Sequence, residues 1–167
     1  MLKIKFDLKS VERFGHLFLV VCPQCGNCAQ VASHQDEECI QARVICAACG
    51  LARAWVQKHP GFYTSADSTL FEDGAICIGA PVDWYFHEPL WLREPCCGHT
   101  LWAYNRDHLA WLRTFVSAGL RQREPDPEQG WSNRSLVSRL PKWIKQASNR
   151  NALLRAITRM EQRLTDC

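Results

Sequence analysis

Cys22-Pro-Gln-Cys25-Gly26 and, with twenty residues between Cys25 and Cys46, Cys46-Ala-Ala-Cys49-Gly50 decide how the chain folds. Two residues between paired cysteines let one tight turn aim both sulfurs at a single ion. The glycine after each pair supplies the positive φ that such a turn needs. Two such knuckles, each at the tip of a hairpin, predict a tetrahedral set of four thiolates from Cys22, Cys25, Cys46 and Cys49. Four protein ligands fill the shell and leave no position for a catalytic water, so the zinc expected here is structural.

The flanks fit that reading. Residues 16–21 read as a strand running into the first knuckle, 39–45 as a strand running into the second, and 51–57 as the strand that leaves it. The polar run His34-Gln-Asp-Glu-Glu38 is the turn between the two hairpins. An earlier strand is predicted at residues 2–8, where Leu2, Ile4, Phe6 and Leu8 alternate with polar positions.

Outside the four ligands, six of the ten cysteines remain. Cys28 extends the first knuckle to Cys22-x2-Cys25-x2-Cys28, but the x3-Cys-Pro continuation of a ferredoxin run is missing. Cys28 and Cys39 are instead expected on facing strands or as spare ligands. Cys96-Cys97-Gly98-His99 has the look of a half-site that Cys77 could join. Adjacent cysteines diverge, however, so a structural turn beside buried thiols is the expectation. The N-terminal stretch has no apolar core and no small-residue cleavage site, which predicts a cytoplasmic protein with reduced thiols.

Residues 61–104 are aromatic and apolar, broken by Gly and Pro, and read as short strands. Asn105 is placed to cap a helix through about Arg123, with Leu109, Leu112, Phe115, Val116 and Leu120 on one face. After a Pro-rich linker at 124–130 come a short helix near 133–140 and a last helix from about Asn151. That last helix carries Leu153, Ile157, Met160 and Leu164 as its apolar stripe. The expected fold is therefore α+β. It comprises an N-terminal strand and zinc ribbon (1–60), an aromatic β segment (61–104) and a basic helical segment (105–167).

Charge is divided unevenly. Residues 1–105 hold 8 Lys and Arg against 11 Asp and Glu, whereas 106–167 hold 12 against 6. Arg155, Arg159 and Arg163 recur every four residues, off the apolar stripe, where charge reversal is expected to cost little stability. With Arg134, Arg139, Lys142, Lys145, Arg150, Trp131 and Trp143 they make an arginine and aromatic mixture suited to phosphates and bases. The same mixture marks protein interfaces, and an ordinary amphipathic helix carries the pattern too. The chain has no His-Glu-x-x-His, no Gly-x-Ser-x-Gly and no phosphate loop, so no enzyme is expected.

The ribbon resembles the transcription-factor-B type. The residues Pro89-Leu-Trp-Leu92, Cys96-Cys-Gly98, Leu101-Trp-Ala-Tyr-Asn105, His108-Leu109, Ser135-Leu-Val-Ser-Arg-Leu-Pro-Lys-Trp143 and Asn149-Arg150 look like those of small bacterial zinc-ribbon proteins of unassigned role. That likeness covers most of residues 20–160. It implies zinc, a bacterial cytosol and no established enzymatic activity. Nucleic acid is the leading partner. The alternative is a protein partner, as for an inhibitor, an adaptor or a toxin-neutralising immunity protein, which the modest net charge of +3 favours.

Overall fold

The computed structural model describes residues 13–35, 40–58, 62–64, 73–118 and 140–167. The strand expected at 2–8, Cys39, the linker at 124–130, most of the short helix at 133–140, Arg134 and Arg139 lie outside them.

Four antiparallel strands form the ribbon: β1 (Leu17–Val21), β2 (Cys28–Gln35), β3 (Ile40–Ile45) and β4 (Ala52–Ala54), adjacent in chain order. Leu17 pairs with Ala32, Gln30 with Ile45, and Ile45 with Ala52. Because strand side chains alternate, this register puts Phe18, Val20, Ala29, Val31, Ala42 and Val44 on one face, all buried. That face packs on the aromatic segment. Phe18 meets Tyr85 and Tyr104 edge-on, at ring separations of 6.0 and 5.0 Å, and Trp55 meets Tyr85 at 5.2 Å. Such offset contacts add roughly 0.5–1.5 kcal/mol each beyond the burial itself.

The opposite face serves two purposes. At the β1 end, Leu19 is buried in a second core with Leu92, Leu101, Leu109, Leu153 and Ile157. At the β3–β4 end, Ala32, Arg43, Ile45, Ala52 and Ala54 are exposed. The ribbon is thus a wall between two cores, and residues from all three sequence segments mix in them.

Beyond the ribbon, β5 (Phe62–Thr64) pairs in parallel with β6 (Ile76–Ile78). The stretch Asp83-Trp-Tyr-Phe86 is a turn, not a strand. The Asp83 carboxylate accepts hydrogen bonds from the backbone amides of Tyr85, Phe86 and Glu88, at 2.9, 2.8 and 2.7 Å. This closes a local loop that directs Trp84 and Tyr85 into the core. Burial pushes the Asp83 carboxyl up to about 6 against those three donors.

The hairpin of β7 (Leu92–Cys96) and β8 (His99–Ala103) turns through Cys97 and Gly98, at φ of 53° and 75°. Two consecutive positive φ values define the tight turn whose twist matches a hairpin. Asn105 caps α1 (Arg106–Ser117), its side chain accepting from the His108 amide at 3.0 Å. The helix ends at Ser117, where Ala118 turns to an extended ψ of 118°. It is therefore shorter than expected, because Gly119 follows and glycine is a poor helix former. After α2 (Lys142–Lys145), α3 (Arg150–Arg163) buries Leu153, Ala156, Ile157 and Met160 against α1 and β7. A two-bond ion pair, Arg113 to Glu161 at 2.6 Å, joins α1 to α3. No helix among the described residues is long and apolar enough to cross a membrane.

Candidate metal centre

The two knuckles have the same backbone, bond for bond. In each, the first cysteine's amide donates to a carbonyl five residues on: Cys22 to Asn27 at 2.8 Å and Cys46 to Leu51 at 2.9 Å. In each, the glycine amide donates back to the first cysteine's carbonyl, Gly26 to Cys22 and Gly50 to Cys46, both at 2.9 Å. Gly26 and Gly50 sit at φ of 75° and 77°, where a Cβ would be strained. The β2–β3 pairing then brings the two tips together.

All four sulfurs lie within 4.8 Å of one another. Cys22 Sγ is 3.7 Å from Cys49 Sγ, and Cys25 Sγ is 3.6 Å from Cys46 Sγ. A tetrahedron with zinc–sulfur bonds of about 2.3 Å has edges of about 3.8 Å, so the donor set fits zinc in number, chemistry and spacing. Cys22 and Cys46 are buried, Cys49 is half-buried and Cys25 is exposed. The backbone amide of Gln24 donates to Cys22 Sγ, and the Asn27 side chain donates to Cys25 Sγ, both at 3.4 Å.

Electrostatics argue the same way. The Asn27 backbone and side-chain donors pull the Cys25 thiol down to about 6. At Cys49 the Leu51 amide lowers the thiol, but burial and the three neighbouring sulfurs outweigh it and push it up to about 12. Thiolates this close repel one another, and a cation between them would relieve that repulsion.

The remaining cysteines go elsewhere. Cys28 is joined by a disulfide to Cys167, with Cα atoms 5.3 Å apart. It is therefore neither a spare ligand nor a free thiol, contrary to the expectation of wholly reduced cysteines. Their separation of 139 residues hid this pairing from any local motif. Cys77 is buried on β6. His99 stacks on Trp143 at 4.8 Å and 12°, and among the described residues it does not join a metal-ligand group with Cys77, Cys96 or Cys97. The sulfurs of Cys96 and Cys97, however, do not diverge as expected: they lie 3.6 Å apart. Burial first, then the neighbouring Cys97 thiol, pushes Cys96 up to about 11.

The basic residues of the C-terminal segment fall into two groups. Lys142 and Arg155 are exposed and Lys145 is half-buried, while Arg150 donates to the Ser117 carbonyl at the end of α1. Arg159 and Arg163 converge on Glu94. Arg159 Nε donates to Glu94 Oε1, and Arg163 Nη2 donates to Oε2 at 2.6 Å. Glu94 is 8% exposed. Strand alternation puts it on the inward face of β7, between Leu92 and Cys96. Arg159 and Arg163 lie off the apolar stripe, as read, and from there they neutralise a buried carboxylate. An open cleft at this clamp is lined by Val21, Trp91, Arg93, Glu94, Pro95, Thr100 and Arg163.

No family model, no curated protein and no solved structure matches this chain.

Proposed function

We propose that this chain is a non-enzymatic zinc-ribbon protein that binds nucleic acid, or a nucleoprotein complex, through the basic face of its C-terminal helices. One observation carries the metal half: four thiols from two matched knuckles lie within 4.8 Å of one another. Support for the nucleic-acid half comes from the cleft, where the half-buried Trp91 indole, donating to the Arg163 carbonyl, lies with Arg93, Arg163 and the clamped Glu94. Aromatic faces stack on bases, and guanidiniums take phosphates.

The clamp on Glu94 does not cancel this charge. Two guanidiniums face one carboxylate, and the Arg159 and Arg163 side chains keep 49% and 41% of their surface exposed. Exposed Lys142 and Arg155 extend the same segment. A cytoplasmic setting belongs to this proposal; the four clustered thiols support it and the Cys28–Cys167 disulfide counts against it.

The test is a gel-shift titration on mixed single- and double-stranded DNA and RNA. Affinity should fall steeply between about 50 and 200 mM salt, since several phosphates are neutralised at once. No shift at low salt with folded, zinc-loaded protein overturns the reading. A protein-binding inhibitor or adaptor, such as a toxin-neutralising immunity protein, then takes its place. The observation favouring that alternative is apolar exposure near the open sheet face, with Ile45 at 49% and Val56 at 67%. Contacts of that kind show a much shallower salt dependence.

A further inference from the structure

Consecutive residues of a strand send their side chains to opposite faces, which is why adjacent cysteines are poor joint ligands. At the tip of the β7–β8 hairpin this rule is broken. The strand ends at Cys96, and Cys97 enters the turn at φ 53°, so the two sulfurs swing to within 3.6 Å. That is the Cys25–Cys46 distance in the four-cysteine cluster, so the pair already holds one edge of a tetrahedral sulfur site.

Two further facts bear on what it could hold. The first position of such a turn ordinarily goes to Asn, Asp or Gly, because other residues are strained at positive φ. Here a cysteine occupies it, exposed to solvent, next to a second cysteine that is 7% exposed. The nearest candidate for a third ligand, His99, has its ring stacked on Trp143. An exposed thiol touching a buried one suits a centre that needs two sulfurs and brings its own remaining substituent from the solvent side.

We propose that Cys96 and Cys97 form a vicinal dithiol site for a soft, thiophilic centre, of the class of monosubstituted trivalent arsenicals. Binding is a condensation. Two As–S bonds form, the arsenic–oxygen bond breaks, and the oxygen leaves as water with the two thiol protons. Arsenic remains trivalent, so no oxidant or reductant is needed. The site is separate from the four-cysteine cluster and does not depend on it.

The experiment uses the zinc-loaded full chain, with phenylarsine oxide as probe and intact-mass spectrometry as readout, in excess monothiol. A single-thiol adduct is removed by monothiol, whereas a chelate survives it and yields only to a dithiol. The expected result is one adduct on the wild type, none on Cys96→Ala and none on Cys97→Asn. Cys97→Asn is the decisive variant. Asn-Gly is the favoured pair for this turn, so the hairpin should fold at least as well. Zinc content measured on the same samples should be unchanged in both. An adduct that persists on Cys97→Asn, or no monothiol-resistant adduct on the zinc-loaded wild type, overturns the proposal.

Discussion

Arg163 Nη2 lies 2.6 Å from Glu94 Oε2, tying the last turn of α3 to the inward face of β7 across 69 residues of sequence. With Arg159 on the other oxygen, the carboxylate is held by two charge-assisted bonds, while both arginines keep contact with water. Partial exposure screens the pair, so the attraction alone is modest. Leaving Glu94 facing a like charge at 8% exposure is a different matter. Arg159→Glu should therefore destabilise the fold by about 2 kcal/mol or more, whereas exposed Arg155→Glu should stay within roughly 0.5 kcal/mol. Urea denaturation of the two variants checks this. Equal, small effects would remove the clamp from the account of stability.

Asn105 does three jobs with one side chain. Its oxygen caps α1, and its Nδ2 donates to the carbonyls of Phe14 and Leu17 at 2.9 and 2.8 Å. Asn105→Ala removes the cap and leaves buried carbonyls without a donor, so a loss of about 2–3 kcal/mol is expected. Asn105→Asp keeps the cap but turns a carboxylate oxygen on the same two carbonyls in a buried site, so it should be at least as destabilising as Asn105→Ala. Thermal unfolding ranks the three proteins.

His108 should make the fold acid-sensitive before the carboxylates do. Burial lowers its imidazole from 6.5 to about 4, and Nδ1 accepts the Tyr104 amide at 3.2 Å, so the ring is neutral when folded. The unfolded chain takes up that proton first, so stability is full above about pH 6.5 and falls as the pH drops towards 4. Between about pH 7 and 5.5 the wild type should lose about 1 kcal/mol relative to His108→Gln, a difference that cancels the opposing gain from Asp83, whose raised carboxyl protonates first in the folded state. Proton NMR of the imidazole is the direct check. Titration of this ring near its ordinary value would contradict the burial argument.

The Cys28–Cys167 bridge ties the chain's last described residue to the strand that leaves the first knuckle. Cross-links across long loops restrict the unfolded chain, by about 3–5 kcal/mol on chain-entropy grounds. Cys167→Ser should lower the melting temperature without changing metal content, because Cys28 and Cys167 are not among the four clustered thiols. Loss of metal in that variant would mean that the bridge shapes the centre.

The ribbon was legible because its information is local. Spacing, the two glycines and strand alternation all act within a few residues, and Leu17–Val21, Ile40–Ile45 and Ala52–Ala54 fall where they are read. Asn105 was legible for the same reason. Glu94 was half legible: alternation in Leu92-Arg-Glu-Pro-Cys96 turns a carboxylate inward, and an inward charge requires a partner. Which partner depended on how α3 crosses β7, and no pattern in the sequence states that. Cys28–Cys167 and the turn of Asp83 were hidden for related reasons, the first by distance along the chain and the second by its aromatic, strand-like neighbours. The convergence of Cys96 and Cys97 depends on a backbone dihedral that composition favours elsewhere.

The metal centre is tested most directly by elemental analysis of the purified chain beside Cys22→Ser and Cys49→Ser. A bound ion would cross-link the two knuckles, so both variants should also melt earlier. One zinc per chain in the wild type, and its loss from both variants, is the expected result. A wild type without zinc, or full zinc retention in both variants, would contradict the four-cysteine assignment.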